Sequence, residues 1–486
     1  MQPIGDDDIR RRIDRDNPWW EAKDFKIIEA TSFRRVYFTP FKALALNTDV
    51  KRAVVLLGPR RVGKTFMIKQ LISEAIATGI DAKRVMYVSV DTPVYSGMPI
   101  EKFLGYMPQE KTDSPGLVIF DEIQYLKDWE VHLKDLVDSY PKIKFVASGS
   151  AAAALKIKSK ESGAGRFSDF MLPPLTFYEF LMFLHEEEKY IRKVSGQQGM
   201  KQYEILDIEA LNSKFLDYLN FGGYPEVVLN PEIKKNSEQY IRSDIIDKVL
   251  LKDLPNLYGI QGIQELNRLF SYLAYNAGKE ASLENICQDS GINKPMIKRY
   301  IEYLESAFLI LKLPTVDQNC KSLKRERNFK VYLNNPSLRA ALFTPVKEED
   351  SIQIGHLAES AVFSQWQHSF SFRNLKYSRW KNAEVDIVYV AGAKQEPIWI
   401  GEIKWSDRVI TNKDDEISGI RALLKGNKSI KDGFITTKTQ RADWVIEGKQ
   451  FDVIPTSAYC YLVGRNITSS LDVTPLSGMQ ISTPET

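Results

Sequence analysis

Eight residues in the first part of the chain have the types and the order that bind a phosphate group. They are Gly58, Pro59, Arg60, Arg61, Val62, Gly63, Lys64 and Thr65, and they fit the pattern G-x-x-x-x-G-K-[ST]. Glycines let the backbone curl so that its N–H groups face phosphate oxygens, and the N-terminus of a following helix adds positive potential. We expect Lys64 to reach the β and γ phosphates of a nucleotide and Thr65 to offer its hydroxyl to Mg²⁺.

Two acidic residues that follow an apolar run complete this predicted site. Leu117–Phe120 predicts a buried strand that delivers Asp121 and Glu122 to its C-terminal end, where ligands bind in open α/β sheets. We expect Asp121 to hold Mg²⁺ through water, and Glu122 to orient and deprotonate the attacking water. A strand that simply ends in a capping Asp is the alternative interpretation.

A second set of candidate catalytic residues lies near the C-terminus: Asp386, Glu402 and Lys404. Apolar alternation predicts two strands, Val385–Val390 and Ile398–Ile403, joined by a turn-rich segment. Strand side chains repeat every two residues, so Glu402 and Lys404 share one face. A hairpin of the two strands would therefore gather two carboxylates and one ammonium.

This second set has the chemistry of a metal-dependent hydrolytic site. Two carboxylates bind a hard divalent cation such as Mg²⁺ or Mn²⁺, which stabilises charge on a scissile phosphate. Lys404 could position or activate a water, and Glu359, in the predicted helix GHLAESAVF, is a candidate further ligand. A salt bridge from Lys404 to a carboxylate across an ordinary hairpin stays open as the alternative.

Strands alternating with helices must position the phosphate loop. The predicted strands are Ala53–Leu57, Arg84–Val90, Leu117–Phe120 and Lys144–Ala147, and Lys64–Thr78 has helical spacing. Such runs predict a parallel sheet covered on both faces.

A helix–turn–helix pattern occupies Ser282–Leu304, with Ser282 and Asn293 as candidate N-caps and Gly291 in the turn. A winged-helix module fits this stretch, and its last helix would present basic residues where a recognition helix meets DNA. They are Lys294, Lys298 and Arg299. Such modules also serve as protein-packing lids, and this alternative stays open.

The densest basic run of the chain, Lys321–Lys330 (KSLKRERNFK), follows this pattern. It could neutralise the phosphates of a nucleic acid. A solvated loop face is the ordinary alternative.

The composition excludes several classes of protein. A length of 486 residues suggests about three domains, and a net charge of +3 excludes a polybasic protein but not a local basic face. Cys287, Cys320 and Cys460 form no CxxC pair, so we expect neither a disulfide framework nor a cysteine zinc site. The N-terminus lacks the apolar core of a signal peptide and no apolar stretch reaches spanning length, which predicts a cytoplasmic protein without a membrane span.

The order of the motifs in the first part resembles the AAA+-related P-loop ATPases. The matching pieces are GPRRVGKT at Gly58–Thr65, FDEIQ at Phe120–Gln124, SGS at Ser148–Ser150, GR at Gly165–Arg166, PLTFYEF at Pro174–Phe180 and GGYPE at Gly222–Glu226. The resemblance spans residues 20–310. It implies ATP and Mg²⁺ as cofactors and Mg²⁺-dependent ATP hydrolysis as the activity.

The same resemblance implies roles for individual residues. Ser148 or Ser150 would sense the γ phosphate, Arg166 would act as an arginine finger on its own or a neighbour's nucleotide, and Pro225 would pack near the adenine. Helix caps for the two serines and an Arg166–Asp169 ion pair are the alternatives.

Residues 350–465 resemble the PD-(D/E)XK nuclease fold, in which a helix with Glu is followed by a strand with Asp and a strand with E-x-K. The leading Pro-Asp pair is absent, because Val385 precedes Asp386. The resemblance implies a domain that either cuts DNA with Mg²⁺ or Mn²⁺ or binds DNA without cutting it.

Together these features predict an α/β P-loop NTPase (AAA+-like) core, then a helical winged-helix module, then a PD-(D/E)XK-like α/β domain. The expected parts are an N-terminal segment packing on the core (1–50), the ATPase core (51–180), a helical lid (181–262), the winged-helix module (263–345), the nuclease-like domain (346–465) and a flexible tail (466–486). The favoured hypothesis couples ATP turnover to the binding of nucleic acid, with DNA preferred. Metal-dependent cutting of that nucleic acid is an open extension of this hypothesis.

Two rival functions stay open. One is an ATP-switched DNA- or protein-binding module whose nuclease-like fold is inactive. The other is a defence or signalling ATPase that assembles into homo-oligomers.

Overall fold

A computed structural model describes residues 5–22, 25–108, 114–149, 165–194, 202–321, 328–380, 383–392 and 394–471. The chain forms two compact units. One comprises residues 1–173 with 468–486, and the other comprises residues 174–467. The described part of the chain contains no helix that is both long and apolar enough to cross a membrane.

A parallel sheet forms the centre of the first unit. Its described strands are β1 (Ala53–Leu57), β2 (Val85–Ser89), β3 (Gly116–Asp121), β4 (Ile143–Gly149) and β5 (Phe167–Met171). Their order is β2-β3-β4-β1-β5, and every neighbouring pair is parallel. Because β4 lies between β1 and β3, its C-terminal end is flanked by the loop after β1 and by the two acidic residues at the end of β3, Asp121 and Glu122. The predicted parallel α/β sheet is confirmed for this unit.

Helices pack around this sheet. They are α1 (Asp6–Asp16), α2 (Phe38–Ala45), α3 (Lys64–Ala77) and α4 (Trp129–Ser139), with 3₁₀ turns at Pro18–Trp20, Ile28–Thr31, Ala82–Arg84, Pro93–Tyr95, Ile100–Tyr106 and Ile123–Tyr125. The inner strands are almost wholly buried, as apolar runs in a sheet covered on both faces should be.

The N-terminal segment of this unit covers the edge strand β2. The Asn17 side chain accepts from the Tyr87 N–H at 2.6 Å and donates to the Tyr87 carbonyl at 2.9 Å. The indole N–H groups of Trp19 and Trp20 both donate to the Val85 carbonyl at 2.8 Å. Side chains thus satisfy backbone groups that would otherwise lie open at a sheet edge.

A larger sheet runs through the second unit. After a separate pair, β6 (Ile191–Lys193) and β7 (Tyr203–Ile205), its described strands are β8 (Glu280–Ser282), β9 (Ile310–Val316), β10 (Asn328–Leu333), β11 (Leu375–Trp380), β12 (Ala383–Ala391), β13 (Glu396–Glu402), β14 (Asp432–Thr437), β15 (Ala442–Ile446) and β16 (Lys449–Pro455). The order is β15-β16-β14-β13-β12-β11-β9-β10-β8. A parallel pairing of β9 with β11 joins the segments predicted as separate modules into one sheet.

The described helices of the second unit follow in chain order. They are α5 (Phe177–Phe183), α6 (Glu187–Tyr190), α7 (Ile208–Phe221), α8 (Pro225–Leu229), α9 (Pro231–Lys235), α10 (Ser237–Ile241), α11 (Leu254–Tyr258), α12 (Ile263–Tyr275), α13 (Leu283–Ser290), α14 (Lys294–Ser306), α15 (Ser337–Leu342), α16 (Ser351–Trp366), α17 (Arg408–Thr411), α18 (Lys413–Glu416), α19 (Ser418–Gly426) and α20 (Thr456–Leu471), with π-helical stretches at Arg242–Asp247 and Val249–Asp253. The last residues of α20 belong to the first unit.

The helix–turn–helix pattern forms as the capping residues predict. The Ser282 side chain accepts from the Asn285 N–H at 3.1 Å, and the Asn293 side chain accepts from the Met296 N–H at 3.0 Å. Gly291 takes a left-handed φ of 71° in the turn between α13 and α14. Both predicted caps and the predicted turn are confirmed.

Candidate nucleotide site and C-terminal carboxylate cluster

The loop between β1 and α3 is closed by its own lysine. Arg61 and Gly63 have positive φ angles of 64° and 96°, which turn the backbone back on itself. Lys64 is only 5% exposed, and its Nζ donates to the carbonyl oxygens of Gly58 at 3.0 Å and Pro59 at 2.8 Å. The ammonium therefore lies inside the curl of the loop, at the N-terminus of α3, where positive potential favours an anion.

The backbone of Leu172 lies so close to position 58 that only glycine fits there. A Cβ at this position would lie 2.2 Å from the carbonyl oxygen of Leu172, which is backbone and cannot swing aside. Leu172 is itself fixed, since its N–H donates to the Leu57 carbonyl at 2.7 Å. The first glycine of the loop thus sets the spacing between the loop and the segment that follows β5.

We therefore expect Gly58→Ala to lower the free energy of unfolding by about 1–3 kcal/mol and to weaken nucleotide binding, because the loop must shift to relieve the overlap. Thermal unfolding and fluorescent-nucleotide titration measure the two effects. Gly105→Ala is the matched control, since no atom lies within 4 Å of its added Cβ. Equal behaviour of the two variants would contradict the steric argument.

Three hydroxyl groups converge on the carboxylate of Asp121, which is 2% exposed. Thr65 Oγ1 and the Tyr87 hydroxyl donate to its Oδ2 at 2.8 Å and 3.0 Å, and Ser148 Oγ donates to its Oδ1. The helix after the loop, the middle of β2 and the C-terminal ends of β3 and β4 thus meet at one carboxylate. The Thr65 hydroxyl and the Asp121 carboxylate are hard oxygen ligands, and Mg²⁺ in such sites takes one or two carboxylates together with substrate phosphates. The residues present fit Mg²⁺ bound with a nucleotide.

Glu122 lies directly beside this carboxylate in a strained conformation. Its φ is 57°, in the left-handed region, and its backbone N–H donates to Ser148 Oγ at 3.2 Å. Gln124 Nε2 donates to its Oε2 and fixes the side chain. Burial is the main cause that raises the pKa of Glu122, and the charge of Asp121 adds to it, although the charge of Lys64 acts in the opposite direction. The raised pKa makes this carboxylate a stronger base.

Two residues that the sequence patterns did not single out support the site. Tyr87 is a lone aromatic in an aliphatic strand, and burial together with the charge of Asp121 raises its pKa. Arg35 is 5% exposed and donates to the carbonyls of Val62 at 2.8 Å and Pro173 at 2.9 Å. A polar residue in an apolar strand could have pointed to Tyr87, but no local pattern identifies Arg35.

The structure does not bring Arg166 to the phosphate loop of its own chain. Its carbonyl accepts from the Ala53 N–H at 2.9 Å, so it lies at the start of β1, about 13 Å along the strand from Leu57. Its guanidinium pairs with Asp138 at 2.5 Å. A role on a neighbour's nucleotide stays a prediction.

Several other predicted residues are placed differently or are not described. Pro225 opens α8 in the second unit, and its place near the adenine stays a prediction. Ser150 lies outside the described residues, and so do Lys324, Arg325 and Arg327 of the basic run.

The C-terminal candidates do come together in the second unit. Lys404 Nζ lies 2.7 Å from Glu402 Oε1, and the Ile403 N–H donates to Asp386 Oδ2 at 2.9 Å. Lys330 Nζ lies 3.4 Å from Asp386 Oδ1 and 3.7 Å from Glu359 Oε2. We call Lys330, Glu359, Glu384, Asp386, Glu402 and Lys404 the carboxylate cluster.

Burial governs the protonation of this cluster. It raises the pKa of Glu402 and of Glu359, and the charge of Asp386 adds to both shifts. Within the described residues, no group of three or more His, Cys, Asp or Glu side chains is arranged to hold a metal ion. The metal-binding role of Glu359, Asp386 and Glu402 stays a prediction.

Two segments of the chain are similar to known protein families, and the chain has two archaeal relatives. Residues 50–181 match the AAA domain family, and residues 212–350 match a family described as a domain of unknown function. An uncharacterized protein of Methanocaldococcus jannaschii is 24% identical over 406 residues, which cover 80% of this chain and 83% of the relative. A second uncharacterized protein of that organism is 24% identical over 333 residues, covering 65% and 68%. Most of the AAA match, residues 50–173, falls on the unit with the phosphate loop and the parallel sheet, and together they support a P-loop ATPase core.

Solved structures also show limited similarity. AMPPCP-bound DnaA from Aquifex aeolicus is 17% identical with a TM-score of 0.28, covering 60% of this chain and 92% of that one. Cdc6p from Pyrobaculum aerophilum is 12% identical with a TM-score of 0.29, covering 67% and 99%.

Proposed function

We propose that this chain binds ATP at the loop 58–65, hydrolyses it with Mg²⁺, and couples turnover to nucleic-acid binding by its second unit. The observation that carries the first part is the convergence on Asp121. A buried carboxylate, a threonine hydroxyl from the phosphate loop and a serine hydroxyl from the intervening strand meet there, with Lys64 inside the adjoining loop. These are the functional groups that a phosphoryl-transfer site requires.

The residues have distinct tasks in this proposal. Lys64 leaves the carbonyls of Gly58 and Pro59 to pair with the β and γ phosphates, and the loop N–H groups orient the phosphate chain. Thr65 and Asp121 would hold Mg²⁺, which neutralises charge on the phosphates. Glu122, fixed by Gln124, takes a proton from the attacking water.

Ser148 connects these tasks. Its hydroxyl donates to Asp121 and its oxygen accepts from the Glu122 N–H, so it touches both acidic residues. A change at the γ phosphate that moved Ser148 would therefore reposition the residue that activates water. These two contacts support Ser148, rather than Ser150, as the residue that senses the γ phosphate.

Nucleic-acid binding is proposed for α14. The order helix, strand, helix, helix, strand, strand from α12 to β10 supports a winged-helix module, with α14 in the position of a recognition helix. Lys294, Lys298 and Arg299 on this helix are exposed, and Lys294 pairs with Glu284 at 2.7 Å. The carboxylate cluster supports a nuclease-like fold that binds without metal-dependent cutting, because lysines hold its carboxylates.

We expect the double change Lys298→Glu/Arg299→Glu to weaken binding of a short DNA duplex at least about tenfold at low salt, because two phosphate contacts become repulsive. Fluorescence anisotropy with and without ATP measures the affinity and its coupling to nucleotide. The charge-matched control is Lys51→Glu/Arg52→Glu, which changes two exposed residues of the first unit. If both double variants bind DNA as the wild type does, α14 is not the contact surface.

A further inference from the structure

The last lysine of the basic run, Lys330, is buried among the acidic side chains of the carboxylate cluster. Lys330 lies on β10 and is 3% exposed, although five of the ten residues in its run are basic and the pattern predicts solvent or phosphate contact. Its ammonium lies within ion-pair distance of three carboxylates, those of Glu359, Glu384 and Asp386. A buried ammonium is rare and is stable only with such partners.

The carboxylate oxygens of the cluster are largely engaged by protein donors. Asp386 uses one oxygen for Lys330 and the other for the Ile403 N–H. Glu359 accepts from the Tyr332 hydroxyl at 3.1 Å, and Glu402 pairs with Lys404. Among the described side chains, Glu402 Oε2 is the one buried oxygen of this cluster without a hydrogen-bond partner. Lys330 thus lies where a cation would otherwise neutralise three of these carboxylates.

Strand pairing keeps Lys330 in place. β10 pairs with β9 on one side and β8 on the other, which sets Lys330 opposite Leu313 and Glu280. The ammonium also lies 5.5 Å from the centre of the Tyr377 ring on β11. Its backbone is thus held between β9 and the edge strand β8, and its side chain is buried beside the Tyr377 ring.

We propose that the ammonium of Lys330 takes the place of a divalent cation in the carboxylate cluster. It supplies the positive charge that the carboxylates require, and it repels a metal ion that would have to enter within a few ångströms of it. The cluster then ties β10, α16 and β12 together through ion pairs and does not bind Mg²⁺ or Mn²⁺. This inference concerns the second unit alone and does not depend on ATP hydrolysis by the first.

The probe is Mn²⁺ alone, titrated without nucleotide into the full chain and followed by electron paramagnetic resonance of free Mn²⁺. Wild type and Asp386→Asn should bind the same amount of Mn²⁺, since any ion at the phosphate loop contributes equally to both. A site in the wild type that Asp386→Asn removes would overturn the proposal.

A second pair of variants tests Lys330 itself. Lys330→Gln should gain one Mn²⁺ site in the carboxylate cluster, with an affinity at least tenfold higher than the cluster of the wild type has for Mn²⁺. The double variant Lys330→Gln/Asp386→Asn should lose this site. Lys330→Arg should exclude Mn²⁺ as the wild type does, because it keeps the charge. A folded Lys330→Gln protein without the additional site would also overturn the proposal, and the wild-type comparison stands if that variant does not fold.

Discussion

Replacing Lys64 with alanine should weaken ATP binding at least about 100-fold. The ammonium would make charge-assisted bonds to the β and γ phosphates, and two such bonds contribute about 3–6 kcal/mol. Its removal also leaves the carbonyls of Gly58 and Pro59 without their donor, so the curl of the loop relaxes. Both effects act on affinity rather than on the sheet, and the variant should remain folded.

Calorimetric titration with a non-hydrolysable ATP analogue and Mg²⁺ measures this effect. The matched control is Lys51→Ala, which removes an exposed lysine from the opposite end of β1. The control should bind as the wild type does. Unchanged affinity in Lys64→Ala would show that nucleotide binds elsewhere or not at all.

Replacing Glu122 with glutamine should leave ATP binding nearly intact and slow hydrolysis by about 10²–10⁴-fold. The amide keeps the size of the side chain but cannot accept the proton of the attacking water, and a positioned base contributes an acceleration of this size. The bond from the Glu122 N–H to Ser148 comes from the backbone and persists in the variant. The loss should therefore fall on kcat with little change in KM.

Steady-state phosphate release, together with nucleotide titration, separates these two effects. Glu21→Gln makes the same chemical change at an exposed position of the first unit and should not alter either quantity. Equal loss of binding and of turnover in Glu122→Gln would point to disruption of the loop and against a role as base.

The geometry of the candidate nucleotide site is largely predictable from the sequence, because its signals are local. The loop pattern, the apolar run before it and the acidic pair after β3 each span a few residues, and a parallel sheet brings the C-terminal ends of its strands to one edge. The predicted helix Lys64–Thr78 and the observed α3 differ by one residue. Tyr87 and Arg35 were missed, because their contacts with Asp121 and Val62 join segments distant in sequence.

The position of Arg166 in the sheet does not follow from its motif. The pattern places an arginine after β4, but the parallel register of β1 with β5 puts it at the edge of the sheet remote from the loop. Register depends on pairing between distant strands, which no local pattern encodes.

The second unit was predictable only in parts. The strands with Asp386 and Glu402 do pair, as their alternation predicts. Two features depend on long-range packing. One is the pairing of β9 with β11, and the other is the burial of Lys330 among carboxylates from two later segments, α16 and β12. A basic run normally indicates a solvated face, and only the fold shows that its last lysine points inward.

Phosphate release from ATP by the full chain tests the central claim most directly, with wild type, Lys64→Ala and Lys51→Ala measured side by side in Mg²⁺. The site built on Asp121 predicts steady release from the wild type and from Lys51→Ala, and none above background from Lys64→Ala. Release from Lys64→Ala at the wild-type rate would contradict it.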